Sequence, residues 1–396
     1  MSESIFFEIE NELHRILDYW RSLEDEHYGG FIGRVSHNLT VDYEADKSGI
    51  AAVRNLWAFS RAHHLTDETH YLKMAEHAYA FFARHFLDSL HGGIYWGADF
   101  EGTIKDDRKH IYLQAFGIYA LSEYYLASGT RRALEHAMKI WHLIEERGFD
   151  SEHGCYMEEF SREWRKLDNQ LLSENGVNAE ITANTHLHLL EAYTSLYRAM
   201  PTKPVREAIV RILDIFSDRI FSSENHHLRI FLDKDWNELI DLRSFGHDIE
   251  ASWLVDEALK LLSLKEPRYH EMVTALAEQV LESAVEPDGS VVNEAENGEV
   301  DRRRIWWVQA EAAVGFFNAW EKTEDSRFYD AFIKSWGYIS DSIIDRRPGG
   351  EWLYGRTPDG EPIKKDVAAS WKAPYHNSRC CMELRSRAVK AGFLRL

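Results

Sequence analysis

Short glycine-bearing segments with the alternation of a tight β-turn recur along the whole 396-residue chain, and their spacing restricts the fold more than any other feature. They read HYGGFIGRV, HGGIYWGADFEG, EHGCYMEEF, NHHLRIFLD, PDGSVVNEAENG and PGGEWLYGRTPDG. Aligned on Gly30, Gly93, Gly154, His227, Gly289 and Gly350, they lie 63, 61, 73, 62 and 61 residues apart, so six units fill the chain. Between successive turns run two segments of helical period, joined by short connectors such as LTDE, SGT, MPTKP and LKEP that carry helix-start residues. Twelve helices and six β-turn units are expected.

The helices alternate in character. Odd-numbered ones, such as RRALEHAMKIWHLIEERG and PVREAIVRILDIFSDRI, are amphipathic with one charged face, which suits an outer layer. Even-numbered ones, such as KHIYLQAFGIYALSEYYLA and RIWWVQAEAAVGFFNAW, are apolar or aromatic nearly all round and belong inside. The expected fold is all-α, an (α/α)6 toroid of twelve helices with short β-hairpin turns at one rim, forming one catalytic domain over residues 1–396. Two separate helical domains would leave the near-even spacing unexplained. The long interval contains RKLDNQLLSENGVNAE, residues 165–180, a polar insertion read as a lid or binding loop ahead of the sixth helix.

A net charge of −20 lacks the basic footprint that a nucleic acid or an acidic membrane requires, and it is compatible with a neutral polar ligand. The start, MSESIFFEIENELHRIL, mixes acidic and apolar residues and has no signal-peptide pattern, and no segment is apolar for long enough to span a bilayer. Cys155, Cys380 and Cys381 form neither a disulfide framework nor a CxxC metal site. A reduced cytoplasmic protein, monomeric or weakly dimeric, with no nucleic-acid or membrane partner is expected.

Each long turn leads into the N-terminal end of an inner helix, so six such ends converge on one mouth of the ring. Those ends carry Arg54, Tyr112, Asn184 with His188, His247 with Glu250, Trp307 with Glu311, and Trp371 with His376. A lone histidine on an inner helix is more often a satisfied core residue, but agreement across six repeats points to a cleft. No metal or cofactor is expected there. The HLH of the sixth helix sets His186 and His188 about 200° apart, and no HExxH, CxxC, P-loop or GxGxxG occurs.

The remaining groups suit proton transfer next to a carbonyl. Imidazoles titrate near neutral pH, Arg54 is a fixed cation for a developing oxyanion, and indoles offer flat faces to sugar rings. Glu250 and Glu311 also read as the carboxylate pair of an inverting glycosidase, a chemistry that leaves the histidines without a required role. In SFGHDIEASWLV, Asp248 reads as an acidic helix start. His247 and Glu250, three residues apart, read as an imidazole and the carboxylate that orients it.

At these residues the chain resembles the N-acylglucosamine 2-epimerase superfamily, and within it the cellobiose 2-epimerase group. SFGHDIEASWL, WWVQAEA, WKAPYHN, NTHLHLLEAY and GGIYW carry the resemblance, which spans essentially the whole chain. It implies cofactor-independent epimerisation at C2 of the reducing-end sugar of a β-1,4-linked disaccharide, with a monosaccharide 2-epimerase or aldose–ketose isomerase as the alternative. On that pattern His247 and His376 are the acid/base pair, acting through a cis-enediolate, and His188 assists ring opening or substrate orientation. Arg54 holds the enediolate oxygens. Tyr112, Asn184, Glu250 and Glu311 position hydroxyls and tune the histidines, while Trp307 and Trp371 stack on sugar rings. The chain departs from the pattern at NHHL, where sibling turns carry glycine, and at Ser378, where glycine is expected.

Overall fold

The structure is a computed structural model that describes residues 2–169 and 176–394. Among the described residues, twelve α-helices follow one another: α1 (Ser2–Arg21), α2 (Gly49–Thr66), α3 (Thr69–His85), α4 (Ile111–Ser128), α5 (Arg131–Leu143), α6 (Ala183–Ala199), α7 (Lys203–Ile215), α8 (Phe245–Leu262), α9 (Pro267–Ser283), α10 (Trp306–Thr323), α11 (Ser326–Tyr338) and α12 (His376–Lys390). The last turns of α5, α7 and α11 loosen into π-helical segments at Ile144–Gly148, Phe216–Ile220 and Ile339–Ile343. Two- and three-residue antiparallel strands make the hairpins that precede the even helices.

The even helices form the inner ring. Each packs on the next, α2 on α4, α4 on α6, α6 on α8, α8 on α10 and α10 on α12, and α12 returns to α2 to close the circle. The odd helices lie outside, α3 on α2, α5 on α4, α7 on α6, α9 on α8, α11 on α10 and α1 on α12. Burial follows from the sequence pattern. Every residue of α4 from Ile111 to Tyr124 is buried, whereas α5 buries only the stripe Ala133, Ala137, Ile140 and Trp141. This is the expected (α/α)6 toroid. At the C-terminal ends of the inner helices Arg61 pairs with Glu123 (3.5 Å) and Glu383 (3.6 Å), and Glu257 pairs with Arg198 and Arg387, both at 3.1 Å. Ion pairs thus tie that end together, and the hairpins rim the other.

One position recurs as a clasp. The fourth residue of four inner helices reaches a backbone amide of the preceding hairpin: Gln114 to Ile94 (2.7 Å), His186 to Tyr156 (3.2 Å), Asp248 to Leu228 (2.8 Å) and Gln309 to Val291 (2.9 Å). Asp248 does stand in the first turn of α8, as expected of an acidic helix start, but its carboxyl does not cap the helix. Ser244 holds the N-cap place of α8, and Asp248 points back to satisfy a hairpin amide that would otherwise be buried without a partner.

The departure at NHHL has a local solution. Sibling turns put Gly29, Gly92, Gly154 and Gly289 at φ between 67° and 87°, and exposed His226 takes the same left-handed region at φ 54°. A side chain there costs about 1–2 kcal/mol, so His226→Gly is expected to stabilise the fold by about 1 kcal/mol, read as a higher denaturant midpoint. Ser378 needs no glycine, because its hydroxyl donates to the carbonyl of Pro374, just ahead of α12 (2.8 Å).

Of the insertion at 165–180, residues 170–175 lie outside the described residues. Its flanks are held: Lys166–Leu167 pair with Glu159–Phe160, and Asn169 donates to the Ala179 carbonyl (3.2 Å). Among the described residues no helix is long and apolar enough to cross a membrane.

Candidate active site

The N-terminal turns of the inner helices bring most of the expected residues to one buried centre. Arg54, one turn into α2, is sandwiched between the rings of Phe116 and Tyr375, each 4.7 Å from the guanidinium carbon. Its Nη2 donates to the Tyr112 hydroxyl (2.9 Å) and its Nη1 to the Trp371 carbonyl (2.9 Å), which fixes the cation's plane. Burial raises the Tyr112 phenol to about 12 against the pull of Arg54, so it is a neutral donor at physiological pH. The Tyr112 ring stands edge-on to His188 at 5.0 Å.

Three histidines face this centre, and each has its Nδ1 engaged. His188 Nδ1 meets Glu191 Oε2 (3.0 Å), His376 Nδ1 meets Glu311 Oε1 (2.7 Å), and His247 Nδ1 meets the Ser244 hydroxyl (2.7 Å). An ionised carboxylate only accepts, so in the first two Nδ1 carries the proton and Nε2 is left basic. Trp307 packs against both His247 (4.9 Å) and His376 (5.5 Å), placing the two rings along one indole. That packing needs Gly246, where a Cβ would come within 2.4 Å of the Trp307 ring.

Burial and neighbouring charges disfavour the protonated forms of His247 and His376. Burial, and then His188, lower His247 to about 3. His376 lies well below the ordinary imidazole value through burial, the charges of Arg54 and Arg379, and its two histidine neighbours. Unprotonated bases so close together suit abstraction of a proton from carbon.

Arg379, which the sequence reading did not single out, organises the carboxylates. Its Nη2 donates to both Glu250 and Glu311 (the latter 2.7 Å), its Nη1 donates to Glu191 and the Tyr375 hydroxyl, and Trp253 and Tyr375 cover its faces at 4.8 and 4.2 Å. Tyr375 in turn donates to Glu191 (2.6 Å), and Trp253 donates to Glu311 (3.1 Å). Burial would raise Glu191, yet Arg379 and His188 reverse that and hold it at about 2. Glu250 behaves differently: burial and the Glu311 charge push it up to about 7, and its Oε2 has no hydrogen-bond partner among the described residues. Glu311 is also raised, by burial first, with Arg379 opposing.

The expected His247–Glu250 pair does not form. The Ser244 hydroxyl takes the imidazole, and Arg379, reaching in from α12, takes the carboxylate. Asn184 lies at the start of α6, half-buried, with its side-chain oxygen unbonded among the described residues. Trp371 sits at the rim, 40% exposed, with its ring 5.8 Å from Tyr112. Glu250, Glu311 and His376 offer donor atoms within 4.8 Å of one another, a spacing open to a metal ion. The Arg379 guanidinium already bridges the two carboxylates and supplies the positive charge there.

The family model of N-acylglucosamine 2-epimerase (GlcNAc 2-epimerase) matches residues 30–380. A cellobiose 2-epimerase of Ruminococcus albus is 42% identical over 96% of this chain and 98% of its own length. One from Dictyoglomus turgidum is 40% identical over 98% of both. The solved structure of cellobiose 2-epimerase from Bacillus thermoamylovorans superposes with a TM-score of 0.95 at 45% identity, covering 97% of this chain and 99% of the other. A toroid whose histidines, arginine and indoles gather at one mouth, matched over its length at this level of identity, belongs to the N-acylglucosamine 2-epimerase family.

Proposed function

We propose that this carbohydrate epimerase inverts C2 of the reducing-end sugar of β-1,4-linked disaccharides, converting cellobiose to glucosyl-mannose and lactose to epilactose. The observation that carries this reading is the pair of neutral imidazoles, His247 and His376, set along one Trp307 indole beside the Arg54 cation. His188, with Nδ1 held by Glu191, presents its basic nitrogen for ring opening. In the open-chain aldehyde the neutral imidazole of the pair accepts the C2 proton. The C2–H electrons form the C1–C2 double bond, and the carbonyl π electrons move to O1, giving a cis-enediolate that Arg54 stabilises. The partner, protonated from solvent for this step, gives its proton to the opposite face of C2, the first imidazole releases the abstracted proton to solvent, and the roles exchange in the reverse direction. Tyr112, Asn184 and Glu250 are assigned to hydroxyl positioning, and Trp307 and Trp371 to stacking on the rings. No resident cofactor is required by this scheme, and the unit acts in the cytoplasm as a monomer or weak dimer.

An inverting hydrolase fits the geometry poorly. Its carboxyl groups stand about 6.5–9.5 Å apart with a water between them, whereas those of Glu250 and Glu311 approach within 4.8 Å and share one guanidinium. Incubation with cellobiose in D2O tests the proposal by NMR. Deuterium at C2 and a mannose-ended product are expected, and release of free monosaccharide or formation of a ketose alone would overturn it.

The depressed histidines also fix the shape of the pH profile. A base is lost when it protonates, and a lowered pKa moves that loss to lower pH. The acid limb of kcat/KM is therefore expected well below pH 6.5, in a titration of initial epimerisation rate against pH.

A further inference from the structure

Asp248 adjoins His247 in the chain, is buried, and takes part in no step of the proton transfer. Its place, the fourth residue of an inner helix, is held in three sibling units by two glutamines and a histidine. Gln114 closes both polar groups of one hairpin residue, accepting from the Ile94 amide (2.7 Å) and donating to the Ile94 carbonyl (2.9 Å). Gln309 does the same at Val291 (2.9 and 2.7 Å). His186 accepts from the Tyr156 amide (3.2 Å), and burial lowers it to about 4, so it too is neutral. All three siblings fill the place with an uncharged side chain.

The α8 unit divides the glutamine's work between two residues. Asp248 Oδ1 accepts from the Leu228 amide (2.8 Å), and the buried ring of His227, from the departure NHHL, donates from Nδ1 to the Leu228 carbonyl (3.0 Å). Burial lowers His227, so it brings no cation to the pair. Asp248 Oδ2 is left buried with no hydrogen-bond partner among the described residues. An ionised carboxylate would strand charge on that atom, whereas a carboxylic acid buries only a neutral polar group, at a smaller cost. Burial pushes the carboxyl up to about 8, and the Leu228 amide and Arg243 oppose this without reversing it. We propose that Asp248 is a positioning residue that works as a neutral carboxylic acid, an amide substitute that ties the first turn of α8 to its hairpin and sets no negative charge beside His247. A buried negative charge on the adjoining residue would favour the imidazolium and so remove the base. The inference rests on the reading of His247 as one of the proton-transfer pair.

Two variants and one spectrum test it. Asp248→Ala leaves the Leu228 amide unpartnered and frees the turn that carries His247. Its kcat on cellobiose is expected to fall about 100-fold, the scale of a small misplacement at a reacting centre. Its KM should stay within about twofold, because the carboxyl faces the hairpin and not the sugar. Asp248→Asn keeps the acceptor and is uncharged, so it should rescue kcat to within about threefold of the unaltered protein. The infrared difference spectrum of the unaltered protein minus Asp248→Asn, at neutral pH, should show the C=O stretch of a protonated carboxylic acid. Absence of that band would overturn the neutral acid, as would a folded Asp248→Asn protein with the kcat of Asp248→Ala. An unchanged kcat in Asp248→Ala would overturn the positioning role, and if that variant fails to fold, the band and the Asp248→Asn rate still decide. No C2 exchange in the unaltered protein would overturn the epimerase assignment, and the infrared band would then still decide the state of Asp248.

Discussion

Arg379→Met is expected to abolish most of the activity and to destabilise the fold by about 3–5 kcal/mol, the cost of stripping the cation from buried carboxylates. Glu191, Glu250 and Glu311 all contact this one guanidinium, and all are buried. Without it, burial and mutual repulsion drive protons onto them, and Glu250 is already at about 7 with the cation in place. A protonated Glu191 or Glu311 no longer holds its histidine with Nδ1 protonated and Nε2 free, so the loss should fall on kcat, by about 100-fold or more, with a smaller change in KM. Arg379→Lys should not rescue it, because a single ammonium cannot reproduce the forked donation to three carboxylates. Denaturant melts separate the stability effect from the rate effect. Unchanged kcat in a folded Arg379→Lys protein would show that the carboxylates organise the histidines without the fork.

What the sequence made legible follows from how locally each feature is encoded. Five of the six turns could be read because a left-handed backbone position selects glycine, and the inner and outer helices because burial on all sides or on one face sets residue character along a single helix. Convergence on one mouth then followed from connectivity. Features that depend on which side chains meet across the ring were hidden. Arg379 stands one turn beyond His376, and Glu191 one turn beyond His188, so helical spacing from each catalytic candidate would have found both. The same spacing misled for His247 and Glu250, because Ser244 in the preceding turn and Arg379 on another helix compete for them. Asp248 shows the converse: a residue typical of a helix start serves instead as the amide clasp that glutamine supplies in α4 and α10.

Replacing either histidine of the proposed pair is expected to separate the two proton transfers. His247→Ala and His376→Ala are each expected to slow epimerisation by about 10²–10⁴-fold, the usual contribution of a positioned acid or base. Their isotope exchange should differ in an informative way. A variant that keeps one imidazole can still remove and restore the proton on the face of C2 which that imidazole addresses, so it should wash solvent deuterium into one epimer and not into the other. The second variant should show the opposite preference. NMR of each purified epimer in D2O, under conditions where the other does not accumulate, reads this directly. Loss of exchange from both epimers in His376→Ala, with exchange from both retained in His247→Ala, would make His376 a lone base and require the intermediate to turn over within the cleft. The structure favours two faces. His247 and His376 come from different helices, α8 and α12, and both rest on the same Trp307. Their Nδ1 atoms are tethered by different partners, Ser244 and Glu311. A substrate carbon lying between two independently anchored rings can be reached from either side without rotating, and that is what inversion at C2 requires.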